Sequence, residues 1–200
     1  MLRFLKTILP GRIKDALRSE LQALKKPRMI HGYRDASGQL RRDTRVSDTA
    51  IIYHPEKVFI GDNVFIGHYN ILDGTGGLEI GEGCQSAALV AILTHGSHIS
   101  IRILGKHYQE VPEYEKPGYQ IAPVKIGRYV YLGAGAKILP GVTVGDGALL
   151  SAGSLVVKDV PDFAIVRGNP GEIVGDTRKL DQPYLAEERL RQWYEEWQKN

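Results

Sequence analysis

From Ile126 onward an aliphatic residue returns every six positions: Ile126, Leu132, Ile138, Val144, Leu150 and Val156. Glycine follows directly at 127, 133 and 145. The same spacing links Ile60, Ile66 and Leu72. After a slip of two positions it resumes at Ile80, Ser86, Ile92 and His98. A period of six is neither the 3.6 of a helix nor the 2 of an isolated strand. It matches one short strand plus a corner, roughly 20 Å of extended chain. A single inward side chain per step buries nothing by itself. It is removed from water only when each coil stacks on the next, so the repeat demands a solenoid. The expected fold is mainly β: a prism of parallel strands that pair between coils, with one inward aliphatic residue per face.

Both flanks depart from the rhythm. Ile13, Leu17, Leu21 and Leu24 fall at i, i+4, i+8 and i+11, one face of an α-helix. Positions 1–28 carry eight Lys/Arg against Asp15 and Glu20, whereas the rest of the chain carries 18 basic and 21 acidic groups. The net charge of +3 therefore belongs to an arm, which argues against nucleic acid as a partner. Residues 1–45 are expected to be this basic amphipathic helix and a linker, the connecting loop running over 27–45. The arm either caps an open end of the solenoid or lies on an anionic membrane surface. At the other end Leu190, Trp193, Tyr194 and Trp197 form an i, i+3, i+4, i+7 stripe, so 176–200 reads as a helix packed on the body. No apolar run approaches the roughly 20 residues that span a bilayer. The start, "MLRFLKTILPG", is too broken for a signal-peptide core. The single cysteine, Cys84, permits no intrachain disulfide. These features suggest a cytoplasmic protein, with the arm as a peripheral contact to the inner membrane face.

The stretch "VKIGRYVYLGAGAKILPGVTVGDGALLSAGSLVVKDVPDFAIVRGNP", residues 124–170, resembles the hexapeptide-repeat acyltransferases. In particular it is similar to the maltose/galactoside/nodulation-type sugar O-acetyltransferases and their polysaccharide-modifying relatives. The resemblance covers about residues 46–175. It implies a left-handed parallel β-helix with an extruded loop at about 99–123, a homotrimer, and acetyl-CoA held in the groove between adjacent subunits. It implies no metal. The implied activity is O-acetylation of a sugar hydroxyl in envelope or capsular polysaccharide synthesis, with N-acetylation of an amino sugar or other small amine as the alternative.

The family's general base is a histidine on a coil edge just before an extruded loop. Imidazole suits the task because it titrates near neutral pH. In "ILTHGSH" two histidines compete. His98 is the last residue before the irregular stretch and lies three hexads beyond Ile80, which makes it the first candidate. His95 is the second; otherwise it is a polar corner residue or part of the acceptor site. His107 lies inside the loop, and His31, His54 and His68 read as structural or exposed. "GHYNILD" matches a segment that contributes an asparagine and an aspartate to the acceptor site, which points to Asn70 and Asp73. Asn70 equally suits a ladder along a solenoid corner, and both readings stand. For the coenzyme, the match points to Ala134, Ala152, Gly153 and Ser154 along the pantetheine arm, where small residues leave a groove open. It points to Lys158 at the nucleotide end, where a cation suits phosphate. Where the family often has arginine after "GNP", this chain has Glu172; Arg167 and Arg178 are the candidates to replace it.

Two readings come from other classes. A γ-type carbonic anhydrase shares the solenoid but needs three zinc-binding histidines, two of them in a His-x4-His pair that this chain lacks. A non-catalytic scaffold would need only the solenoid.

Overall fold

The computed structural model describes residues 26–199, together with Pro10, Ile13, Asp15, Ala16 and Ser19. Ile13 is helical, and the other three members of the expected N-terminal stripe, Leu17, Leu21 and Leu24, lie outside the described residues.

The six-residue rhythm builds a three-faced parallel coil. The first face is an eight-stranded sheet whose central members are Phe65–Ile66, Gln85–Ser86, Tyr131–Leu132 and Leu149–Leu150. The second holds five strands: Ile51–Tyr53, Ile71–Asp73, Ala91–Ile92, Lys137–Ile138 and Leu155–Val156. The third holds four: Val58–Ile60, Leu78–Ile80, Val124–Ile126 and Thr143–Val144. Every hexad aliphatic residue from Ile60 to Val156 points into the common core and is at most 3% exposed. Each such side chain contributes roughly 1.5–3 kcal/mol relative to exposure. The glycine behind an inward residue is there because coils stack tightly. A Cβ at Gly133 would lie 2.5 Å from the amide nitrogen of Ala152 in the next coil.

Coil length changes along the chain. Lys125 pairs with Thr143, Tyr131 with Leu149 and Lys137 with Leu155, each three hexads apart. Earlier, Ile51 pairs with Ile71, Phe65 with Gln85 and Ile71 with Ala91, each separated by three hexads and two further positions. The extra pair sits at the corner between the second and third faces. In the first coil it falls at His54–Lys57, and in the next at Gly74–Gly77. In the third coil the same corner extrudes the whole loop. The chain leaves after Thr94 and rejoins at Val124, and a two-stranded antiparallel neck closes the exit, with His95 opposite Ile121 and Gly96 opposite Gln120. The inward series therefore ends at Ile92. His98, expected to continue it, is exposed on the loop.

Residues 27–45 do not form the expected connecting loop. Met29–Arg34 and Leu40–Ser47 make an antiparallel hairpin that caps the first face. The almost wholly buried carboxylate of Asp35 organises its turn, accepting from the Ser37 and Gln39 amides and from the Arg41 guanidinium. At the far end, Ala164–Arg167 and Glu172–Asp176 form a second hairpin. The C-terminal region is two helices, Thr177–Asp181 and Glu188–Lys199, where one was expected. Asp176 caps the first by accepting from the Arg178 amide. The second lies across the corner between the third and first faces. Trp197 packs there on Tyr129 at 4.7 Å and Phe163 at 5.8 Å between ring centroids. Trp193 of the same stripe faces solvent beneath the Arg189 guanidinium.

Candidate active site

The irregular corner brings chemistry-bearing side chains together. Asp73 ends its strand on the second face and is 1% exposed, yet all its oxygens are occupied. One carboxylate oxygen accepts from the Thr75 amide at 3.0 Å and the Thr75 hydroxyl at 2.6 Å. The other accepts from the Thr94 amide at 2.8 Å and from His95 Nδ1 at 2.6 Å. The Thr94 hydroxyl ties the two coils together, donating to the Asp73 carbonyl and accepting from the Gly76 amide. Burial alone would raise the Asp73 pKa. The hydrogen bonds from Thr75, Thr94 and His95 outweigh it and hold the carboxyl well below the usual carboxylate range.

An ionised carboxylate only accepts hydrogen bonds, so Nδ1 of His95 must carry the proton of the Asp73 bond. In neutral His95 the lone pair is therefore on Nε2. The side chain is 39% exposed, enough for this outer nitrogen to be reached from solvent. A near-parallel Tyr119 ring lies beside the imidazole, offset from it, with centroids 6.1 Å apart and planes 24° apart. The Tyr119 hydroxyl donates to the Glu113 carboxylate, and burial plus this bond push its pKa well above the ordinary phenol value.

The other expected residues fare unevenly. His98 is exposed, and among the described residues its ring makes no hydrogen bond; only its carbonyl is used, by Arg102. The partnered imidazole is His95. Asn70 is fully buried, with its amide nitrogen donating to Ser86 Oγ at 2.5 Å and its oxygen accepting from the Val90 amide at 2.8 Å. It staples a corner and presents nothing to an acceptor. Asp73 likewise faces inward, toward His95. Ser154 is fully buried and spends its hydroxyl on the Ser151 and Val166 carbonyls, so it offers no group to a coenzyme. Ala134, Ala152 and Gly153 are exposed on the corner between the first and second faces. Gly153 donates to the Ala134 carbonyl at 2.8 Å. The amide N–H groups of Ala134 and Ala152 meet no acceptor among the described residues, which leaves both donors open. Lys158 is exposed on the same corner as His95. With Asp159, Gly171, Glu172 and Ile173 it lines a groove of about 250 Å³. Arg167 stands opposite Glu172 across the second hairpin, and Arg178 is held by Asp176.

Two larger concavities, about 420 and 440 Å³, lie along the corner between the third and first faces. One is lined by Asp35, Arg41 and Phe59, the other by Arg128, Tyr129 and Trp193. No histidine lines either of them, and volume is the weaker guide to chemistry here. Among the described residues no three His, Cys, Asp or Glu side chains gather as metal ligands, and no helix is long and apolar enough to cross a membrane. Three other histidines have local partners: His68 bonds Ser47, His54 pairs with Glu56 and His107 with Glu110.

Thr75, Thr94 and Tyr119 were not singled out in the sequence. Thr75 and Thr94 carry a signal all the same, since both flank the irregular corner. Tyr119 carries none beyond lying in the loop.

Comparison with known proteins fits this geometry. The bacterial transferase hexapeptide (six repeats) family model matches residues 123–158. YvoF of Bacillus subtilis (strain 168), which bears an acetyltransferase name, is 39% identical over 131 residues; the match takes in 66% of this chain but only 55% of that protein. YJL218W of Saccharomyces cerevisiae, similarly named, is 30% identical over 198 residues, covering 88% of this chain and 94% of the yeast protein. The crystal structure of a maltose O-acetyltransferase from Clostridium difficile 630 superposes with a TM-score of 0.52 at 27% identity, over 64% of each chain. AntD, an N-acyltransferase from Bacillus cereus in complex with dTDP and 3-hydroxybutyryl-CoA, superposes with a TM-score of 0.57 at 22% identity, over 76% of this chain and 89% of that one, a likeness of fold alone. The solenoid is a left-handed parallel β-helix.

Proposed function

Because this chain belongs to the hexapeptide-repeat acyltransferases, we propose that it transfers an acetyl group from acetyl-CoA to a sugar hydroxyl, with His95 as general base. One observation carries the reading: the Asp73–His95 pair at the neck of the extruded loop, with Nδ1 committed to a buried carboxylate and Nε2 open. The likeness to a maltose O-acetyltransferase supports a sugar as acceptor.

In the proposed reaction the acceptor hydroxyl gives its proton to His95 Nε2 as its oxygen attacks the thioester carbonyl carbon. Asp73 stabilises the imidazolium that forms. The carbon–oxygen bond closes, the carbon–sulfur bond breaks, and the imidazolium returns the proton to the departing thiolate. General-base help of this kind is typically worth ~10²–10⁴-fold. The open N–H groups of Ala134 and Ala152 donate to the pantetheine arm, and Lys158 meets the phosphates at the nucleotide end. Glu172 and Asp159 beside Lys158 make that end less cationic than the sequence resemblance alone suggests. We assign the closed coenzyme groove to the junction of two subunits of a homotrimer, which accounts for the open, one-sided corner of the single chain. The acceptor belongs to a glycan of the cell envelope or capsule, reached in the cytoplasm or at the membrane's inner face.

The test is thiol release from acetyl-CoA across a panel of sugars, nucleotide-sugars and their amino counterparts. Turnover with hydroxyl acceptors that disappears in His95→Ala supports the proposal. Turnover with amino sugars alone would shift it to N-acetylation. Wild-type rates in His95→Ala would overturn the assignment of the base.

A further inference from the structure

We propose that Tyr119 is a positioning residue for the reaction: its ring, tethered by Glu113, fixes the plane of the His95 imidazole so that the open nitrogen faces the acceptor. The proposal rests on the reading of His95 as general base. The Asp73 bond pins one ring nitrogen, but a single hydrogen bond does not fix a plane. The outer side-chain torsion of histidine is broad and roughly two-fold. A second contact, on the ring face, is needed to define where Nε2 points. Among the described residues Tyr119 is the one ring stacked on His95.

The loop holds Tyr119 in turn from several sides. Its hydroxyl donates to Glu113, and its amide donates to the Lys116 carbonyl at 3.2 Å. The Lys116 ammonium lies 3.9 Å from the Tyr108 ring centroid and 6.0 Å from that of Tyr119. Just before it, Gly118 adopts φ +70°, where a Cβ would fall 2.4 Å from Ile99. Fully buried Ser100 donates to the Pro117 carbonyl at 2.9 Å, pinning the far limb of the loop to the near one. Immediately after, Gln120 pairs with Gly96 in the neck. The extruded loop is thus a built support with one residue set against the base. The support acts most strongly during the reaction. His95 becomes cationic as it takes the acceptor proton, and a cation beside an aromatic face is stabilised. An interaction that strengthens on the way to the transition state raises kcat without tightening the ground state.

The experiment compares Tyr119→Ala, Tyr119→Phe, Tyr119→Trp, Glu113→Gln and His95→Ala by steady-state thiol release, separating kcat from KM for acetyl-CoA. Tyr119→Ala should lower kcat about ten-fold and leave KM for acetyl-CoA unchanged. Tyr119→Phe keeps the ring but loses the tether, so it should lower kcat about two- to three-fold, clearly less than Tyr119→Ala, as should Tyr119→Trp. Glu113→Gln loosens only the tether and should lower kcat by about two- to three-fold, a readout that survives if Tyr119→Ala fails to fold. Wild-type kcat in Tyr119→Ala, or a loss in Tyr119→Phe as deep as in Tyr119→Ala, would overturn the proposal while His95→Ala still reports on the base. An active His95→Ala would overturn the reading beneath both.

Discussion

Replacing Asp73 by asparagine tests the site at its most constrained atom. In the native protein four donors converge on this carboxylate: the Thr75 amide and hydroxyl on one oxygen, the Thr94 amide and His95 Nδ1 on the other. An asparagine has one acceptor oxygen. If that oxygen faces Thr75, its NH₂ confronts the Thr94 N–H and the His95 N–H, and His95 escapes only by moving its proton to Nε2, where it can no longer act as a base. If the oxygen faces His95, the tautomer survives but the partner is neutral, and the Thr75 amide is orphaned. Hydrogen bonds to charged groups are worth about 1.5–3 kcal/mol and neutral ones about 0.5–1.5. With a factor of ten per 1.36 kcal/mol, the second arrangement lowers kcat about ten-fold and the first well beyond that. Either arrangement leaves a buried N–H unsatisfied, costing about 1–3 kcal/mol of stability. The assays are thiol release at saturating acetyl-CoA and urea unfolding of the intact protein. Acid adds an independent check. The native Asp73 carboxyl is held below its unfolded value, so its contribution is complete above the unfolded pKa of about 3.9 and is lost as pH falls through the folded one. Asp73→Asn should lose that part of the acid dependence. A variant with kcat within two-fold of wild type would refute the argument that the carboxylate sets the tautomer.

His95→Ala should lower kcat by ~10²-fold or more, whereas His98→Ala should stay within a few-fold; the same assay reads both. Trp197→Ala removes the ring contacts with Tyr129, Phe163 and Tyr194 and should cost about 2–3 kcal/mol in urea unfolding, with kcat preserved. The Cys84 thiol is buried, donates to the Gly127 carbonyl at 2.9 Å, and is pushed up to about 12 by burial. It should resist alkylation in the native protein at pH 8 and react at once in denaturant, as a mass shift would report.

The inward residues were legible because burial acts on them one by one. Ile60, Leu132 and Val144 each occupy a place that only an aliphatic side chain fills, so the spacing alone announces the coil. The stripe that seats Trp197 was legible for the same reason. The capping hairpin was not. Its strands, "MIHGYR" and "LRRDTRVS", hold few apolar residues. What organises it is the Asp35 carboxylate, whose partners Ser37, Gln39 and Arg41 form a polar turn with no hydrophobic signature. Asn70 and Ser154, buried and bonded within the coil, show a related difficulty. A polar residue at a corner reads the same whether it serves the backbone or a substrate, and only its burial separates the two.

The choice between the two histidines turns on coil length. Counting three hexads from Ile80 favours His98, and three hexads is the step of the coils after the loop. Before the loop the step is longer by two positions, and the sequence shows it: Leu72 to Ile80 spans eight positions where Ile66 to Leu72 spans six. That slip marks the corner Gly74–Gly77. One of these longer coils beyond Leu72 is Ile92, which does stack on it. The residues that follow Asp73 around the corner must therefore face those that follow Ile92, which are Leu93, Thr94 and His95. His98 would reach Asp73 only if the chain stayed in the coil as far as that residue. It cannot do so, because the neck strands His95–Gly96 and Gln120–Ile121 already turn it outward. A repeat of variable length places a side chain by its own coil's step, and here that step sets His95 against the buried carboxylate of Asp73.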